Sequence, residues 1–344
     1  MFIKILEVFL MLKNNDINYA IDNFMIYCQQ KDLRMKTIAS YESTLRLFAR
    51  YLEDTFSINN VKDITEEMCK DYITYTKERG KYTFVADKNT TFINQPENRE
   101  DYGKKISTTT INNYIRNLKV FFNWCIEERI TNVNPIQRIK QFKNNRISKD
   151  QLTDEEFKRL VRYLDTTKYH EFRDYVIIQL IIDTGMRIGE TLALTIDNVD
   201  LDRRAILIQA EINKGRKDRY VFYSYTMSRL LKRWIQYKDR YVESDLLFCV
   251  KRGTQLQISN FEKNFSKYIK RARIDKKISP HTLRNNYARR FLLAGGSIFD
   301  LSRILGHSSV TVTEKAYADL TTEDIRKNYQ LFSPLENIAK GGRR

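Results

Sequence analysis

Two histidines, two arginines and a tyrosine mark where chemistry is concentrated in this chain. Its 344 residues hold three histidines. Two of them, His281 and His307, fall in one short run that also carries Arg284 and ends at Tyr317. An arginine presents a planar fork of donors matched to phosphate oxygens, and an imidazole can hold or take a proton near neutral pH. A phenol, with a pKa of about 10, becomes a nucleophile once its proton is removed. Such a set suits attack on a phosphate ester. A further arginine, Arg187, stands upstream in Thr184-Gly185-Met186-Arg187-Ile188-Gly189-Glu190. Taken alone, an arginine there is more often a structural ion-pair partner. Cys28, Cys69, Cys125 and Cys249 are widely spaced with no C-x-x-C pair. No zinc site is legible, and four free thiols suit a reducing cytoplasm.

The elements that must position these residues can be read from their punctuation. Ser279 before Pro280 is an N-cap followed by proline at the first helical position. His281 and Arg284 then share one face of that helix, while Leu283, Tyr287 and Phe291 mark a core-facing one. Gly295-Gly296 ends it, and a second helix from Ser297, with Asp300 in a capping-box-like position, ends at Leu305-Gly306. His307 follows that helix C-terminus, where the dipole should favour a donated proton or a positive charge. Tyr317 lies in an apolar-poor segment. Upstream, Thr153-Asp154-Glu155-Glu156 opens a capped helix, and Phe172–Thr184, with YVIIQLII at its centre, reads as a buried helix broken by Gly185. Ala205–Gln209 and Arg219–Tyr223 read as an antiparallel hairpin around Asn213–Asp218. Stretches 224–240 and 258–272 read as helices with basic polar faces.

The first part of the chain reads as about four amphipathic helices. Their stripes include Tyr19, Ile21, Phe24, Met25 and Cys28, then Leu45, Phe48, Tyr51 and Leu52, then a helix from Thr65 to about Arg79. Thr109–Arg129 is the last, with Ile111, Ile115, Leu118, Phe121, Phe122 and Cys125 as its core. Residues 81–106 are long for a helix–helix connection. Lys81–Val85 and Thr90–Asn94 are β-prone, so a small hairpin is expected there, serving either as a surface insertion or as a DNA or subunit contact. Asn134-Pro135 stops the domain. The basic strip that follows offers Lys140, Lys143, Arg146 and Lys149 to a phosphate backbone. Residues 1–12 are apolar but too short to span a bilayer, and they contain Lys4 and Glu7 without a cleavage site, so neither membrane anchor nor signal peptide is expected. Met11 is an alternative start.

The net charge of +17 calls for a polyanionic partner. Division after Arg146 leaves +5 on the first part and +12 on the second, so the charge belongs to both halves. A hydrophobic content of 42% supports ordinary cores.

The blocks H-x-L-R, L-G-H-S-S and a tyrosine ten residues on, with T-G-x-R-x-x-E about a hundred residues upstream, resemble the tyrosine recombinase (phage integrase) family. The resemblance implies a mainly α, two-domain protein: a helical core-binding domain and a mixed α/β catalytic domain with a small antiparallel sheet, forming a C-shaped DNA clamp. The expected division is 1–136 for the first domain, with its insertion at about 81–106, 137–150 for the linker, 151–319 for the catalytic domain, and 320–344 for a tail. The implied catalytic set is Arg187, Lys214, His281, Arg284, His307 and Tyr317, supported by Glu190. Lys214 matches the family's hairpin lysine by position, and Lys217 is the competing choice. Tyr287 and Tyr329 are the other tyrosines weighed as nucleophile. Arg216 and Lys217 join the linker cations as DNA contacts.

What the family does with such residues is to cut and rejoin DNA through a 3′-phosphotyrosyl link, which stores the bond energy, so neither ATP nor metal is called for. The implied partner is double-stranded DNA with a specific site, met by a homotetramer on two sites, with the tail packing on a neighbouring protomer. Helix from Asp16 leaves no additional arm-binding domain, which favours a simple-site recombinase of integration, excision or resolution. A type IB topoisomerase-like relaxing enzyme and a non-cleaving site-specific binder are the alternatives.

Overall fold

The computed structural model describes residues 15–87, 89, 91–143, 150–212, 217–307, 309–316, 334–335 and 338. They divide into two compact units, one within Met1–Arg146 and one within Ile147–Arg344. Helices dominate, and a single three-stranded antiparallel sheet is found among the described residues. None of the described helices is long and apolar enough to cross a membrane.

The first unit contains α1 (Ile17–Gln30), α2 (Met35–Phe56), α3 (Glu66–Glu78), the single turn α4 (Thr91–Asn94) and α5 (Thr108–Glu127). Asp16, Thr65 and Ser107 cap α1, α3 and α5 by accepting backbone N–H bonds. The helical spacing of apolar residues buries Phe24, Leu45, Phe48, Ile115, Leu118, Phe121 and Phe122 in one core. Tyr19 is an exception to the expected stripe and stays exposed. Asn117 crosses the core, donating to Thr44 Oγ1 at 3.0 Å.

The hairpin expected within 81–106 does not form among the described residues. Thr91–Asn94 is instead a helical turn, followed by a 3-10 turn at Pro96–Asn98. Side chains satisfy the backbone that a ladder would have used: Thr83 Oγ1 donates to the Gly80 carbonyl, and Arg50 to that of Val85. Phe84 packs edge-on against Tyr75 of α3. The segment is closed at its base by a bridge between Gly80 and Lys105 and by the Lys81–Asp101 ion pair.

The second unit begins with α6 (Asp154–Arg162), held by a capping box between Thr153 and Glu156. It continues through α7 (Tyr169–Thr184), α8 (Ile188–Leu192), β1 (Val199–Asp200), β2 (Ala205–Ile208), β3 (Arg219–Phe222), α9 (Tyr225–Asp239), α10 (Ile258–Arg271), α11 (Pro280–Leu293), α12 (Ile298–Leu305) and α13 (Val310–Ala316). α7 is the central helix: Phe172, Val176, Ile177, Leu180 and Ile181 are all buried. β2 is the middle strand, with Val199 opposite Ile206 and Ile208 opposite Arg219. Ile206, Ile208 and Val221 face the core, while Tyr220 and Phe222 are exposed. By the two-residue period of a strand, Arg219 therefore sits on the inner register with Val221. β1 and α13 were not expected from the sequence.

Candidate active site

Arg187 and His307 are delivered by helix boundaries, and Arg284 by the first turns of α11. α7 ends at Gly185, which adopts φ +68°. A Cβ there would stand 2.3 Å from the Tyr287 ring, so only glycine lets the end of α7 lie against α11. The Gly185 carbonyl then receives Arg284 Nη1 at 2.7 Å. Two residues on, Arg187 occupies the N-cap position of α8. Glu190, in the first turn of α8, reaches back to accept the Arg187 backbone N–H at 3.0 Å and its Nη1 at 2.7 Å.

The second corner is the end of α12. Gly306 is left-handed at φ +62° and closes the helix. Its carbonyl accepts Arg187 Nη2 at 3.3 Å, and the Leu305 carbonyl accepts Arg284 Nη2 at 2.8 Å. His307 follows directly. Its Nε2 stands 3.2 Å from Arg284 Nη2 and its Nδ1 2.7 Å from the buried Thr313 Oγ1. A guanidinium nitrogen can only donate, so Nε2 accepts; the proton then lies on Nδ1 and is donated to Thr313. Arg284 and His307, from one short run of sequence, thus meet Arg187, about a hundred residues upstream, at one corner.

Of the two states expected for His307, the donated proton is found, at Nδ1, and the positive charge is disfavoured. Burial, followed by the charges of Arg284, Arg187, Arg219 and His281, pushes its pKa down to about 4. For Glu190, burial works to raise the pKa, but the Arg219 hydrogen bond and charge, with help from Arg187, outweigh it and hold the carboxyl below its ordinary range.

Arg219 is the residue the sequence reading missed. Its Nη2 donates to Glu190 Oε2 at 2.6 Å and its Nε to the Ile304 carbonyl at 3.0 Å. A charged residue in phase with Val221 on the inner face of a strand was the signal available. His281 lies one turn before Arg284 on α11 and is exposed. Lys217, Lys140 and Lys143 are exposed. Lys214 and Arg216 at the hairpin tip, Arg146 and Lys149 in the linker, Tyr317, Tyr329 and almost all of the 320–344 tail lie outside the described residues.

This geometry can be set beside known proteins. The chain matches the Phage integrase family over residues 150–324 and the Phage integrase SAM-like domain over residues 16–141. It is 26% identical over 324 residues to tyrosine recombinase XerD of Oceanobacillus iheyensis, covering 92% of this chain and 99% of the relative. It is also 26% identical over 303 residues to tyrosine recombinase XerC of Bacillus subtilis, covering 84% and 96%. Its fold is similar to that of the Tn1549 transposon integrase (aa 82–397) in complex with circular intermediate DNA, with a TM-score of 0.69 at 19% identity, covering 92% of this chain and 99% of that one. The chain belongs to the phage integrase family. Its enzyme class is that of the tyrosine site-specific recombinases.

Proposed function

We propose that this recombinase cleaves one DNA strand at a time, with Arg187 and Arg284 holding the scissile phosphate and Tyr317 attacking it. The observation that carries the reading is the meeting of Arg187, Arg284 and neutral His307 at the Gly306 corner. Two guanidiniums fixed by backbone carbonyls are preorganised to receive the charge that develops on non-bridging oxygens. Neutral His307 can take the phenolic proton at Nε2 once Arg284 Nη2, from which that lone pair accepts here, turns to the phosphate, and His281 is the second imidazole able to do so. The tyrosine oxygen bonds to phosphorus as the bond to the 5′ oxygen breaks, and Lys214, or Lys217 in its place, protonates the departing 5′ oxygen. Attack by the 5′ hydroxyl of another strand reverses the step and joins the two. Family and relatives support recombination and give no support to the DNA-relaxing or non-cleaving alternatives.

The same reading assigns 1–136 to core binding, 137–150 to a basic linker, 151–319 to catalysis and 320–344 to contact with a neighbouring protomer in a tetramer on two sites. Lys140, Lys143, Arg146, Lys149, Arg216 and Lys217 are its phosphate-backbone contacts. Tn1549 integrase and lambda integrase, two neighbours in fold, are both seen on DNA. The four buried, free cysteines suit the reducing cytoplasm in which such DNA is found.

Arg187→Ala and Arg284→Ala test the reading on a nicked suicide substrate. Covalent adduct formation should fall by about 10²–10³, the usual loss for one oxyanion donor. Half-site binding should fall by less than about tenfold, because many phosphate contacts remain. Binding that collapsed together with cleavage would make these arginines part of the general DNA grip instead. Melting temperatures recorded alongside exclude unfolding at the buried Arg284.

A further inference from the structure

We propose that Arg219 is a positioning residue for this site, holding Arg187 through Glu190 and His307 through the end of α12. The inference rests on the reading of Arg187 and His307 given above.

Glu190 has two oxygens and divides them. Oε1 takes Arg187 Nη1, while Oε2 takes Arg219 Nη2 and the Arg187 backbone N–H. The carboxylate is almost wholly buried and Arg219 is 11% exposed, so neither is a solvated surface charge. Without Arg219, Glu190 would keep a single guanidinium partner and draw Arg187 into a two-pronged pair. That would pull Arg187 from the Gly306 carbonyl, and about 1 Å of misplacement can cost about 100-fold in rate. Arg219 also grips the other side of the corner. Its Nε donates to Ile304 in the last turn of α12, and the guanidinium lies so close to Gly306 that a Cβ there would stand 2.9 Å from Nε. A single side chain on β3 therefore ties the hairpin strand, the Arg187 turn and the His307 corner together. Glycine at 306 is required by the left-handed backbone and by Arg219 alike.

A merely structural ion pair would lower stability without changing the rate of folded protein. A double-mutant cycle with Arg219→Gln and Glu190→Gln, read as adduct formation on the nicked suicide substrate, separates the two roles. Arg219→Gln should form adduct about 100-fold more slowly at a temperature where it is folded, with half-site binding within a few-fold of wild type. The double variant should be no slower than the slower single one. Arg219→Lys keeps the charge but not the fork, and should fall between wild type and Arg219→Gln. If Arg219→Gln does not fold, Arg219→Lys decides: a slower adduct with unchanged binding supports the role, and a wild-type rate overturns it. Losses that multiply in the double variant, or a wild-type rate in Arg219→Gln, also overturn it. The Arg187→Ala control distinguishes the failures. A wild-type rate there would sink the reading of the site itself, whereas an inactive Arg187→Ala beside a normal Arg219→Gln would sink only this inference.

Discussion

The residues of the site are held by one shared network of charges and carbonyls. Arg187, Arg219 and Arg284 gather round one imidazole, and the carboxylate that meets two of them is Glu190. His307 responds by staying neutral, and that has a consequence for stability. Unfolded, its ring binds a proton as pH falls through 6.5; folded, it does so only near 4. Within that window the unfolded state holds more protons, so this contribution is complete above pH 6.5 and is lost as pH falls toward 4. Denaturant titrations of wild type and His307→Gln between pH 7 and 4 should show a shallower acid loss in the variant. Equal slopes would mean that His307 titrates normally in the folded protein. Arg187, Arg284 and His307 were legible through the T-G-x-R-x-x-E, H-x-L-R and L-G-H-S-S blocks, whose resemblance to a family outweighs the plainer reading of Arg187 as an ion-pair partner. Arg219 was hidden by its place in a hairpin flanked by Lys214, Arg216 and Lys217, where basic residues read as solvated surface.

Among elements, the helix ends do most of the positioning. α7 and α12 both stop at left-handed glycines, Gly185 and Gly306, whose carbonyls receive Arg284 and Arg187. Gly185→Ala should destabilise the second unit by about 1–2 kcal/mol for the left-handed backbone alone. The clash of its Cβ with Tyr287 would add to this, and adduct formation should fall as well because α11 carries Arg284. A thermal melt checks the first effect; a melting temperature within 1 °C of wild type would mean that the helix end can be rebuilt around a side chain. Long elements were legible because their apolar period repeats often enough to be seen, as in α5 and α7. β1 was not, since two residues cannot show a period. Nor was α13, which lies in an apolar-poor segment and whose Thr313 is buried against His307. The 81–106 segment misled for the opposite reason: among the described residues its β-prone runs do not pair with each other, Lys81 bonds instead to the backbone of Gly103 and Lys104, and Arg50, Thr83 and Phe84 hold the rest otherwise.

For the whole molecule, a charge of +17 spread over both parts of the chain gives each unit a reason to meet a polyanion. We propose that the corner of Arg187, Arg284 and His307 presents a phosphate to Tyr317. Trapping the protein on a nicked suicide substrate, digesting the adduct with protease and nuclease, and mapping the nucleotide-bearing peptide by mass spectrometry tests this most directly. One modified residue is expected, Tyr317, with a 3′-linked phosphate, and no adduct in Tyr317→Phe although that variant still binds its site. A nucleotide on Tyr287, Tyr329 or any other residue, or an adduct formed by Tyr317→Phe at the wild-type rate, would contradict it.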